Sequence, residues 1–148
     1  MCPICGDFED AYGGQLQEAA AADEITLNLH PISILDRYSQ NTEFSTRAAA
    51  SVYCVAAEAP EATLEYFNVL FENQPAENTP GLSDDELADF AAQVGAEGAA
   101  DCIADCTYKR YITSQTNSHE IQGTPTVEID GERIENSQIA TRFAEILG

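Results

Sequence analysis

The chain has 148 residues, 26 of them acidic and 6 basic, for a formal net charge of −20. A surface that negative repels nucleic acid and anionic lipid and argues against both as partners. The apolar fraction of 44% is ordinary for a globular chain, and the length suffices for one domain with a real core.

Cys2-Pro3-Ile4-Cys5 opens the chain. Pro3 suits a first helical position, because its missing N–H would be an orphan there anyway. A helix is expected from Pro3 to about Ala22, weakened and open to a kink at Gly13-Gly14. Ile25, Leu27 and Leu29 alternate with Thr26, Asn28 and His30, a strand pattern that Pro31 ends. His30 reads as a structural residue at that edge. Residues 43 to 58 are alanine-rich and helical, and carry Cys54. Residues 61 to 72 place Leu64, Phe67, Leu70 and Phe71 at helical spacing. Two prolines and a glycine make Asn73 to Leu82 a loop. Ser83-Asp84-Asp85-Glu86 is a capping box that starts a helix with Leu87, Phe90 and Val94 inside. Gly95 to Gly98 break it. One further helix is expected from about Ala99 to Thr116, with Cys102 and Cys106 one turn apart on the same face. Thr126, Val127 and Ile129 form a strand, Asp130-Gly131 signals a hairpin, and Glu132 to Ile134 pair back. Asn136 or Ser137 caps a last helix with Ile139, Phe143, Ile146 and Leu147 inside.

The first motif carries the chemistry. Two cysteines at i and i+3 lie on one side of a first helical turn, so they close a small disulfide or open to a dithiol with little backbone motion. Cys2 sits where free N–H groups and the helix dipole favour a thiolate, which makes it the expected attacking sulfur. Cys5, one turn deeper, is the expected resolving thiol. Asp7, Glu9 and Asp10 follow closely and partly oppose the thiolate. Half a zinc site is the competing reading. Zinc needs a second pair of ligands, and neither Cys54, Cys102 and Cys106 nor His30 and His119 repeat a ligand spacing, so redox chemistry is preferred. Five cysteines, a redox pair plus more, point to an oxidising compartment, and the odd count leaves one thiol over.

With C-x-x-C first, Gly123-Thr124-Pro125-Thr126-Val127 late, and a strand–hairpin–helix ending, the chain resembles the DsbA-like family of thiol-disulfide oxidoreductases. That family has an α/β thioredoxin-like fold with an inserted helical domain. His30-Pro31-Ile32 with Leu35-Asp36, Ser45-Thr46-Arg47-Ala48-Ala49, and Phe71-Glu72-Asn73-Gln74-Pro75 with Gly81-Leu82 resemble its actinobacterial members. The resemblance covers essentially the whole chain as a single domain. Its thioredoxin-like parts are 1–30 and 117–148, and its helical insertion is about 43–116.

The resemblance implies an extracytoplasmic oxidant that gives its disulfide to reduced secreted proteins. Cys2 would be the nucleophile and Cys5 its partner. Pro125 would be a cis-proline, with Thr124 beside the dithiol at the substrate backbone. Cys54 and Cys102 match a structural disulfide of the family, with Cys106 a competitor one turn away. No cofactor is implied, and re-oxidation would come from a quinone-linked membrane protein of the vitamin K epoxide reductase type. An isomerase or reductase role, or an inactive or metal-binding thioredoxin-like domain, are the alternatives. Two departures stand out. The family's first strand, the one before C-x-x-C, and the signal peptide or membrane anchor upstream of it are expected to be missing from a truncated or mis-started sequence, since only Met1 precedes Cys2. Ile25–His30 and Thr126–Ile129 would each lose a central neighbour. The second departure is a cysteine at position 106.

Overall fold

The computed structural model describes residues 1–147, which divide into two units. The first, helical unit holds Met1–Cys2 and His30–Glu120. The second holds Pro3–Leu29 and the chain from Ile121 onward.

The helical unit is built around α3, Phe44–Glu58, whose alanine-rich sequence lets neighbours approach closely and buries eight of its residues. Around it lie α4 (Thr63–Glu72), α5 (Asp84–Gln93), α6 (Ala100–Ala104) and α7 (Lys109–Ser118). Tyr66, Val55, Leu87, Ala91 and Ile103 form the centre of the core. The start of α3 is held from outside. Glu43 before it is left-handed and gives no side-chain cap. Ser39 Oγ instead accepts from Phe44 N at 3.2 Å, and Asp36 Oδ1 accepts from Thr46 N at 2.9 Å. Thr46 Oγ1 donates to Asp36 Oδ2 at 2.6 Å, and Leu35 N donates to Ser45 Oγ at 3.4 Å. Arg47 donates to Asp84 Oδ1 at 2.7 Å and to the carbonyls of Thr42 and Leu82, which ties α3 to the loop before α5. The capping box on α5 forms as expected: Glu86 N donates to Ser83 Oγ, and Ser83 N donates back to the Glu86 carboxylate. That backbone bond, and the Ser83 hydroxyl bond after it, hold the Glu86 pKa below the ordinary carboxylate value.

The second unit opens with α1 (Pro3–Phe8), a π-helical turn (Glu9–Gly13) and α2 (Gly14–Ala21). The glycine pair therefore widens the helix, and π turns of this kind often mark functional sites. The hairpin of β1 (Val127–Ile129) and β2 (Glu132–Ile134) pairs Val127 with Ile134 and Ile129 with Glu132. Its two-residue turn has positive φ at both positions, 51° at Asp130 and 83° at Gly131, as a type I′ turn requires. Helix α8, Ile139–Leu147, lays Ile139 and Phe143 on Ile134, with Phe8, Tyr12 and Leu16 against them.

Several expectations need correction. Ile25–His30 keeps its alternation of half-buried and exposed residues but is not a strand. Among the described residues β1 and β2 pair only with each other, so this segment has no ladder to join. The helix expected from Ala99 to Thr116 is two helices. Cys106 adopts φ 46°, Cys106 N donates to Ile103 O and Thr107 N to Cys102 O, so α6 stops in a Schellman turn with cysteine where glycine is usual. Leu64 and Ile146 are exposed rather than inside; Tyr66 is the buried residue of α4. Neither Asn136 nor Ser137 caps α8, which instead follows a 3-10 turn over Asn136–Gln138 without a side-chain cap.

Candidate functional site

Along the chain, Cys2 ends a short segment assigned to the helical unit, and Pro3 begins α1 of the second. Both cysteines are half-buried. Within the helical unit, Gln74 Nε2 donates to the backbone carbonyl of Cys2 at 3.0 Å. Gln74 lies in the loop after α4, 72 positions away, and fixes the main chain of the expected nucleophile. In the sequence Gln74 stands out only as part of the Phe71-Glu72-Asn73-Gln74-Pro75 family signature. A side chain bonding a main-chain oxygen leaves no pattern that spacing could reveal.

In the second unit, Cys5 stands in the first turn of α1, and the Thr124–Pro125 peptide bond is cis. Thr126 Oγ1 donates to Gly123 O at 2.8 Å and closes the loop before β1. Ile4, the residue between the two cysteines, and Pro125 line one open pocket of about 230 Å³. Tyr12 of the π turn lines it too. Glu9, one turn after Cys5, is half-buried, and an ideal Cβ at Gly13 would come 2.5 Å from its Oε2. A glycine at 13 therefore makes room for that carboxyl. Burial, and then the neighbouring Asp10, raise the Glu9 pKa.

The other singled-out residues lie elsewhere. Cys54 and Cys102 form a disulfide in the helical unit, between α3 and α6, with Cα atoms 5.7 Å apart. Cys106 is a half-buried thiol beside Tyr53 and Tyr108; burial raises its pKa more than nearby Lys109 lowers it. His30 stacks obliquely on His119, ring centroids 5.7 Å apart, in the helical unit. Among the described residues, no three His, Cys, Asp or Glu side chains converge as a metal site would require. None of the described helices is long and apolar enough to cross a membrane.

Comparison with known proteins adds the context. The family profile described as thioredoxin matches residues 1–148. The serine/threonine-protein kinase PknE of Mycobacterium tuberculosis is 35% identical over 160 residues, a match that takes in 100% of this chain and 28% of the kinase. PknE of Mycobacterium bovis matches to the same extent. The chain thus spans about 28% of the length of these curated relatives. Among solved structures, the reduced form of the disulfide bond oxidoreductase DsbG from Mycobacterium tuberculosis gives a TM-score of 0.87 at 30% identity, over 99% of this chain and 74% of that one. Oxidised DsbA from the same organism gives 0.86 at 30% identity, over 99% and 78%.

Proposed function

The chain belongs to the thioredoxin family, in its DsbA-like branch of thiol-disulfide oxidoreductases, and from that membership we propose that it oxidises the thiols of extracytoplasmic proteins. In the oxidised enzyme a substrate thiolate attacks Cys2 Sγ. The Cys2–Cys5 bond breaks, and Cys5 leaves with the electron pair and takes up a proton. A second substrate thiolate then attacks the substrate sulfur of the mixed disulfide, and Cys2 leaves as a thiol after protonation. The substrate gains one disulfide and the enzyme ends as the dithiol, holding two electrons and two protons. Thr124 and Pro125 take the substrate backbone beside the dithiol. The carrying observation is the pocket that Ile4 and cis Pro125 share, since it sets the dithiol helix beside the loop that would hold a peptide.

Re-oxidation needs a partner that accepts those electrons, and a quinone-linked membrane protein of the vitamin K epoxide reductase type supplies that chemistry. The Cys54–Cys102 disulfide favours an oxidising, extracytoplasmic setting.

The test is oxidation of a reduced, unfolded model protein by the pre-oxidised enzyme. Cys2→Ser should abolish turnover, and Cys5→Ser, mixed instead with the disulfide-bonded form of the model protein, should accumulate a covalent mixed disulfide as the Cys2 thiolate displaces one substrate sulfur. Turnover that survives Cys2→Ser, or a mixed disulfide trapped through Cys5 in place of Cys2, overturns the assignment.

A further inference from the structure

The pocket beside Pro125 has apolar walls and one charged side chain. Ile4, Phe8 and Tyr12 recur every fourth residue and form one wall, and Ile139 opens the other from the start of α8. Ile4 is 61% exposed, a large apolar side chain left for something to cover. Asp7 is the only charged residue of the lining. The two arginines of this unit are engaged elsewhere: Arg133 pairs with Glu128 at 3.0 Å and Arg142 with Glu145 at 3.4 Å. Asp7 is exposed and has no ion pair among the described residues. Its acidic group stands at an apolar pocket with no cation of the unit to meet it.

Resting on the reading that substrates dock beside Pro125, we infer that Asp7 makes the enzyme select peptides carrying an apolar side chain next to the cysteine and a lysine or arginine within two residues of it. The apolar side chain fills the space between α1 and α8. Asp7 lies three residues beyond Ile4, about 4.5 Å along the helix axis. An extended peptide covers that distance in one to two residues at about 3.3 Å each. The cation of the peptide then meets Asp7 while its cysteine stays at the dithiol. An acidic residue at the same place would be repelled. Because Asp7 is exposed, the preference is modest, about two- to fivefold, and salt weakens it.

The experiment compares three cysteine peptides that share an apolar neighbour and differ in one flanking residue: lysine, glutamine or glutamate. With the oxidised enzyme at low salt, kcat/KM should fall in that order by about two- to fivefold per step. Asp7→Asn should bring the lysine and glutamine peptides level. Glu77→Gln removes one charge from a loop of the helical unit and should leave the order intact. A lysine preference that persists in Asp7→Asn overturns the inference. So does a preference lost equally in Glu77→Gln, which would place it in the overall negative field. Ala140→Phe tests the docking reading separately by filling the pocket. A KM that rises for all three peptides supports that reading, and a KM that rises for none means substrates dock elsewhere, whatever Asp7 does.

Discussion

Tyr66→Phe removes one hydroxyl from the centre of the helical unit, and its effect should reverse sign with pH. Tyr66 is 0% exposed. Its hydroxyl donates to Ser51 Oγ at 2.9 Å and is 3.2 Å from Leu87 O. Ser51 Oγ itself donates to Ala48 O at 2.7 Å, so the substitution leaves no buried donor orphaned. The cost at neutral pH is then one ordinary hydrogen bond, about 1 kcal/mol. Burial pushes the Tyr66 phenol up to about 12, with the Ser51 bond pulling the other way. An unfolded tyrosine titrates near 10. Below pH 10 both states hold the proton and the contribution is constant. Above it the unfolded chain binds fewer protons than the folded one, so stability falls until the folded phenol titrates near 12. Two pKa units at 1.36 kcal/mol each make that loss about 2.7 kcal/mol. Phenylalanine does not titrate, so the wild-type advantage should vanish near pH 11 and become a deficit beyond it. Denaturant midpoints of both proteins from pH 7 to 11.5 measure the difference, in which the other tyrosines cancel. A difference that stays constant over that range refutes the reasoning.

Removing the disulfide with Cys54→Ala/Cys102→Ala should cost about 4 kcal/mol, because the bridge spans a sequence separation of 48; equilibrium denaturation under non-reducing conditions checks it. Gly81→Ala should cost about 2–4 kcal/mol by the same measurement. Gly81 has φ 72°, and a Cβ there would overlap Cγ and both Cδ atoms of the Phe44 ring, so left-handed strain and overpacking add. Gln74→Met keeps the length of the side chain but removes the donor to Cys2 O. Exchange with a peptide disulfide should slow about fivefold, the value of one hydrogen bond, with little change in melting temperature.

The elements legible in the sequence were those whose cause is local. Ser83 and Glu86 satisfy each other across three residues, and Asp130-Gly131 carries the positive φ values its turn requires, so both could be read directly. The misreadings have causes that residue type and spacing do not carry. Ile25–His30 has the side-chain pattern of a strand, but strandness lies in backbone bonds to a partner, which pattern does not encode. The end of α6 at Cys106 breaks a favourable helical run because one residue goes left-handed, and cysteine gives no warning of that. At the candidate site, the cysteines and Thr124-Pro125 belong to short motifs and were visible. Gln74 and the α8 wall of the pocket come from distant parts of the chain, and only the folded backbone brings them in.

The borrowed cap of α3 has a consequence in time. Its first turn is closed by Ser39 and Asp36, five and ten positions upstream. The turn and the loop before it therefore have to form together. Closing a loop of ten residues takes about 10–100 ns, far sooner than partners 48 apart meet by search. The loop–helix junction is thus suited to an early place in the order of events, with helices assembling on a centre already oriented. Asp36→Ala should then slow refolding more than it speeds unfolding, the signature of a contact already made at the barrier.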